Sequence, residues 1–450
     1  MNWLSQNKKL IWISCIAFTL RFALLVISMI LNPDAMWTYD SYGYWQLGHN
    51  IIHHEVFSQA VSPPLEPDYF RTPLYPLFLA LFENLNIGNS FIVFCQVILS
   101  TLICIYTYKL SKTISPNEKI ALLAGLIMAL DIPSIVFANF ILTETLFSLL
   151  LVISIFHVSR FIKHESLKDT LYSAAFLGLA TLCRPIAFPV VFIVGVVLFL
   201  MTLHRAGYHR FSILFFLFFF TVIISPWLIR NKLTFGEFFI SHLGEHVLMN
   251  IHAGAIVAAQ KGISPYEAEI ELRSSFIRTF NGNAVKCPNE FANHIQIESQ
   301  KIIFENFGVF LKLHLKAGVL FFVKPVRGYI DLLLGKKNTY AAFSRDISSG
   351  KGRLDSFHKY SGRFTVAMVY LQIIFSLVVY IGFAIGIAFL FREKMYYTSV
   401  LFLGTLACFA STVMPSWVEA RFRIPVMPMV AVISAAGLLL LKEIYTKRKK

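Results

Sequence analysis

Apolar residues in this chain come in long runs, with no low-complexity tract. A helix needs about 20 mostly apolar residues to cross the hydrocarbon core of a bilayer. Residues 10–31, 88–108, 118–138, 140–159, 169–183, 185–203, 211–229, 364–391, 396–415 and 425–441 are predicted to be such spans. The fifth is short because Pro185 ends it. Ten spans, an even number, place both termini on one side. Seventeen Lys and Arg then fall in the segments on the side of the termini. The short segments opposite hold four: Arg71, Arg184, Arg421 and Arg423. Basic residues gather on the cytoplasmic side, so both termini are predicted to be cytoplasmic.

One stretch resists this layout. "FGVFLKLHLKAGVLFFVKP" (307–325) is apolar enough to be an eleventh span, which would carry the basic C-terminus outside. Lys301, Glu305, Lys312 and Lys316 recur near helical spacing and give it a polar stripe. It is therefore predicted to be an amphipathic helix lying on the outer face. The chain then divides into an N-terminal membrane core, 1–229, with a first outer loop at 32–87. A mostly helical outer insert, 230–363, follows, and then C-terminal spans with a basic cytoplasmic tail, 364–450. The insert is long enough to escape the charge rule.

Composition supports the membrane layout. Of 450 residues, 56% are hydrophobic and 14% charged, with a mean hydropathy of +0.65, which excludes an ordinary water-soluble domain. The net charge of +15 would suit nucleic acid, but its distribution follows topology instead. Six cysteines show no Cys-x-x-Cys and no Cys/His metal spacing, so neither a disulfide framework nor a zinc ribbon is expected. No small-residue cleavage site follows the first apolar run, which is read as a retained span. There is no repeat between the halves and no Gly-rich phosphate loop.

The polar residues of interest lie on the outer side. Asp40 follows the first span, and Tyr44, Leu47, Gly48, Ile51 and Ile52 after it mark one face of an interfacial helix. Asp40 could simply cap that helix, or do chemistry, or both. Arg71 stands before a second short helix in "FRTPLYPLFLALF". Glu144, in "LTETLF", opens the fourth span, where a carboxylate is costly unless paired or used. Arg184, Arg230, Arg421 and Arg423 stand at other outer edges. Each arginine alone reads as a snorkelling anchor. A ring of them around one or two acids suits a phosphate whose tail is lipid. Arg21 lies mid-span and needs a partner that sequence does not name. His242 and His246 have a metal-like spacing, but Gly244 between them favours plain interfacial histidines.

The ordered set "SYGYWQLGHNI" after Asp40, "FRTPLYPLFLALF", "LTETLF", "GLATLCRPIAF", "PWLIRNKLTFGEF" and "EARFRIPVMP" resembles the GT-C glycosyltransferases. Within them it is most similar to bacterial relatives of the protein O-mannosyltransferases and lipid A aminoarabinose transferases. The resemblance implies a GT-C-like all-α polytopic fold in a bacterial inner membrane. It also implies transfer of a sugar from a polyprenyl-phosphate donor, usually with inversion, on the periplasmic face. Asp40 matches the family's first-loop acid, the general base, and Glu144 its next acidic region. Arg71, Arg184, Arg230, Arg421 and Arg423 match a site for the donor phosphate. Tyr42, Tyr44, Tyr75 and His246 are candidates for contact with substrate. Ser41 stands where the mannosyltransferases tend to carry a second acid, so the sugar and the acceptor (glycan, lipid or protein) stay open. No nucleotide is needed, no cofactor is specified, and a divalent cation is left open. The competing classes are a transporter or lipid flippase, which should place polar groups near the midplane, and a structural partner docking through 230–363.

Overall fold

The computed structural model describes residues 8–204, 211–282, 287–336, 362–412 and 418–448. The end of the expected ninth span, part of the insert expected at 230–363 and Lys449–Lys450 of the tail lie outside the described residues. Among the described residues every regular element is a helix. Among the described residues seven stretches are long and apolar enough to cross a membrane, or eight if the bent pair Pro288–Glu305 and Phe307–Val323 is one span. The seven are α1 (Lys8–Leu31), α4 (Asn89–Ile114), α7 (Glu144–His164), Pro185–His204, α10 (Ser212–Phe235), α17 (Arg363–Arg392) and Ala420–Thr446. The protein is thus an all-α, multi-pass membrane protein. The other expected spans are shorter helices: α5 (Glu118–Leu130), α8 (Leu167–Cys183) and α18 (Tyr396–Ser411).

The expected span 118–138 is not one helix. It stops at Leu130, and Asp131 starts the short α6 (Ile132–Phe137) by accepting a 3.0 Å hydrogen bond from the Ser134 amide. An Asp followed two residues on by Pro is an N-terminus signal. The polar stripe expected along 301–316 is also broken. Pro288–Glu305 (α14) and Phe307–Val323 (α15) meet at 94°, so Lys301 and Glu305 do not continue onto the face of Lys312 and Lys316.

The core sits around α7 and the last span, which are mostly enclosed, whereas α1 and α17 lie at the periphery. The last helix, α19 (Met427–Arg448), packs closely on α17. A Cβ at Gly386 or Gly437 would run into the partner backbone, the small-residue contact that membrane helices use. A satellite core of Met249, Ala253, Leu272, Phe276, Phe291 and Ile295 holds the insert together.

Arg21 finds its partners within the bundle. It is fully buried and donates to Ser100 Oγ (2.6 Å) and to the carbonyls of Ala17 (3.0 Å), Ala129 (3.0 Å) and Met128 (3.2 Å). Two of these carbonyls belong to the last turn of α5, which lacks intrahelical donors. The mid-span charge is a structural cap for a broken helix.

Candidate active site

The site begins at the N-terminus of α2 (Tyr39–His54). Thr38, not Asp40, is the N-cap; it forms a capping box with Ser41, whose Oγ accepts from the Thr38 amide at 2.9 Å. Asp40 falls in the first turn with its carboxylate free of the cap. The expected apolar face packs on α3 (Leu74–Asn84), burying Tyr44, Leu47 and Gly48. At Gly48 the helices nearly touch: a Cβ would lie 2.8 Å from the Pro76 carbonyl oxygen.

Arg71 enters from the loop before α3. Asp68, buried, accepts from the amides of Phe70 (3.0 Å) and Arg71 (2.7 Å). Thr72 donates to the Cys183 carbonyl (3.0 Å) at the end of α8, beside Arg184. So anchored, Arg71 donates to Asp40 Oδ1 (2.9 Å) and to the Tyr44 hydroxyl (2.7 Å), with its guanidinium over the Tyr44 ring. Arg421 donates to the other Asp40 oxygen, also at 2.9 Å. Burial alone would raise the Asp40 pKa, but the charges of Arg421 and Arg71 and their hydrogen bonds outweigh it, holding the carboxyl at about 2.

Arg421 links Asp40 to two further acids. Its Nη1 lies 3.7 Å from Glu144 Oε1, and its Nε 2.6 Å from Glu419 Oε2. Glu144, at the first position of α7, is 1% exposed and accepts from Arg184 at 2.8 Å. Glu419 also accepts from the Tyr329 hydroxyl (2.8 Å). Tyr329, on α16 (Arg327–Leu333), packs its ring against Phe137 and Phe140. Three guanidiniums and three carboxylates from five separated segments therefore meet at one end of the bundle. Glu419 and Tyr329 were not singled out from the sequence. Glu419 could have been, since it lies two residues before Arg421; Tyr329 arrives by tertiary packing and leaves no local signal.

The remaining candidates are placed elsewhere. Arg423 is buried and donates to the carbonyls of Phe321 (3.1 Å) and Lys324 (2.9 Å), closing the end of α15. Arg230 donates to the Asp68 carbonyl (2.9 Å) and stacks among Phe57, Trp227 and Phe235, supporting the Arg71 loop from behind. Tyr75 is buried beneath Tyr44 and donates to Gln96 (2.8 Å). Tyr42 is exposed and stacks on Trp37. His246 packs edge-on against Phe70; burial first, and then Arg273, push its pKa down to about 4, so it is neutral.

His242 and His246 do not form a metal pair: His242 is engaged with Asn289 (2.9 Å) and Glu245 (3.7 Å). Among the described residues one group has the donors and spacing to hold a divalent cation, namely His49, His53 and Glu83.

A family model described as dolichyl-phosphate-mannose-protein mannosyltransferase matches residues 70–229. The match takes in Arg71, Glu144 and Arg184 and leaves out Asp40 and Arg421. No curated protein matches the chain. Among solved structures, the archaeal oligosaccharyltransferase AglB from Archaeoglobus fulgidus, in complex with an inhibitory peptide and a dolichol-phosphate, is 13% identical. That alignment covers 99% of this chain and 52% of AglB, with a TM-score of 0.50. ArnT from Cupriavidus metallidurans, bound to undecaprenyl phosphate, is 13% identical over 96% of this chain and 78% of its own, with a TM-score of 0.45. The chain thus spans about half the length of AglB. Residues 70–229 thus match a mannosyltransferase-type family model, and the chain shares its overall fold with AglB.

Proposed function

We propose that the protein transfers a sugar from a polyprenyl-phosphate carrier to an acceptor on the periplasmic face of a bacterial inner membrane, with inversion. The observation that carries this is the bridging position of Arg421, 2.9 Å from Asp40 and 3.7 Å from Glu144. A guanidinium held between two acids, with Arg71 and Arg184 on their other sides, is a site for an anion that can take over those hydrogen bonds. The dolichol-phosphate in AglB is an anion of that class, and the apolar spans around the site suit its tail.

The proposed step is a single displacement. The acceptor hydroxyl attacks the anomeric carbon, the bond from that carbon to the phosphate oxygen breaks, and Asp40 receives the hydroxyl proton. Charge gathers on the leaving phosphate, where Arg71, Arg184 and Arg421 stabilise it. Held at about 2, Asp40 is too weak a base for this while both arginines grip it. The donor phosphate draws the arginines away, and the carboxylate becomes more basic once the donor is bound. Inserting a sugar between acid and guanidiniums also separates base from leaving group, as inversion requires. Glu144 keeps Arg184 and Arg421 aimed at the phosphate.

A transporter would need polar groups lining a route at mid-depth. The deep charges are instead occupied, Arg21 by Ser100 and backbone carbonyls and the buried Asp131 by the amide and hydroxyl of Ser134. Binding of a polyprenyl phosphate to purified protein, followed by native mass spectrometry, tests the proposal. A one-to-one complex that is weakened in Arg421→Gln supports it. Equal binding by both forms would overturn the phosphate role.

A further inference from the structure

At the far end of α2, away from Asp40, a second group of side chains converges. His49 and His53 are one turn apart on α2, and Glu83 stands in the last turn of α3. His49 Nδ1 is 2.6 Å from Glu83 Oε1, and His53 Nε2 is 3.4 Å from the same oxygen. Trp45, one turn earlier, stacks on the His49 ring with centroids 4.9 Å apart and planes 22° from parallel, which fixes the ring. The second Glu83 oxygen, Oε2, is buried and has no hydrogen-bond partner. Beside Glu83 a cavity of 250 Å³ opens between Trp45, Leu79, Asn86 and Asn89.

We propose that His49, His53 and Glu83 bind a divalent cation of the zinc type. Two imidazole nitrogens and one carboxylate, with a fourth position left to water, are a known zinc donor set. Zinc bonds of about 2.0–2.1 Å at tetrahedral angles place donor atoms roughly 3.3 Å apart. The His53 contact already has that separation, at 3.4 Å. The His49 contact, now a hydrogen bond, must open by about 0.7 Å, a motion of one side chain. A hydrogen bond to His49 uses only one Glu83 oxygen; a water on the cation can donate to the buried Oε2 and satisfy it. The cavity supplies room for the water. Nine residues of helix separate Asp40 from His49, about 14 Å along the axis, so the cation does not reach the anion site. It staples α2 to α3, and thereby the helix bearing Asp40 to the one that follows Arg71. The metal is positioning, not catalytic, and its binding does not depend on the transfer reaction.

The test is titration of the chelator-treated, full-length protein in detergent with Co²⁺ and then Zn²⁺. One equivalent of cobalt should give the visible absorption of a tetrahedral site, zinc should displace it, and zinc should raise the melting temperature. The His49→Ala/His53→Ala double variant should lose all three, Glu83→Gln should weaken them, and Asp40→Asn should keep them. His53 is half exposed, so His53→Gln repeats the test should the double variant misfold. A wild-type protein that takes up no cobalt, or uptake unchanged in the histidine variants, would overturn the site.

Discussion

Asp40 and Arg421 stand 381 positions apart in the chain and meet at 2.9 Å. The same Asp40 carboxylate meets Arg71 at 2.9 Å through its other oxygen. The N-terminal turn of α2 is thus locked to the entrance of the last span.

That lock predicts the cost of shortening its reach. Arg421→Lys keeps the charge but cannot span Asp40, Glu144 and Glu419 at once. Losing one charged hydrogen bond costs about 1.5–3 kcal/mol. The apparent affinity for the donor should therefore fall about 10- to 100-fold, with acceptor KM much less affected. Steady-state kinetics in both substrates check this.

Acid should loosen the lock. The Asp40 carboxyl sits at about 2 in the folded protein against its ordinary 3.8. A depressed folded pKa stabilises the fold above the ordinary value, and the gain is lost as pH falls through about 2. The difference amounts to about 2 kcal/mol. Between about pH 4 and pH 2 the wild-type melting temperature should drop more steeply than that of Asp40→Asn.

Donor binding should reverse that depression. The acid limb of kcat reports the donor-loaded enzyme, and that of kcat/KM for the donor the free one. The kcat limb should lie at clearly higher pH. Coincident limbs would mean that the phosphate leaves the arginines on Asp40.

The α2–α3 crossing should be sensitive to volume. In Gly48→Ala the new methyl would sit 2.8 Å from the Pro76 carbonyl oxygen and 3.2 Å from the Ala80 nitrogen. Overpacking of this kind costs about 1–3 kcal/mol. It should push α2 off α3 and disturb the Asp40–Arg71 pair, lowering both turnover and melting temperature.

Removing the mid-span cap should affect folding alone. Arg21→Met leaves the carbonyls of Met128 and Ala129 without their donor, at about 1–3 kcal/mol each. Thermal stability in detergent should fall, while donor affinity of the folded fraction should not.

Hydropathy made the long spans legible, because a bilayer demands length and apolarity and little else. Asp40, Arg71, Glu144, Arg184 and Arg421 stood out as charges at membrane edges, and the fold gathers them. Arg423 stood out for the same reason, yet it closes α15. Ala420–Val426 is a 3₁₀ turn, with about 120° per residue, so positions two apart point in different directions. Edge position alone does not reveal that. Nor does it reveal the break at Asp131, where a cap outweighs an apolar run, or Tyr329, whose place is set by Phe137 and Phe140. The His49–His53 spacing was present in the sequence, but its third donor, Glu83, lies on another helix and needed the fold.

The most direct test of the central claim is mass spectrometry of the cell envelope. A deletion strain complemented with wild type is compared with one complemented with Asp40→Asn, with both proteins verified in the membrane. Loss of one sugar mass from an envelope component in the variant, with accumulation of its polyprenyl-phosphate donor, is the predicted result. Identical envelopes and identical donor levels in the two strains would contradict it.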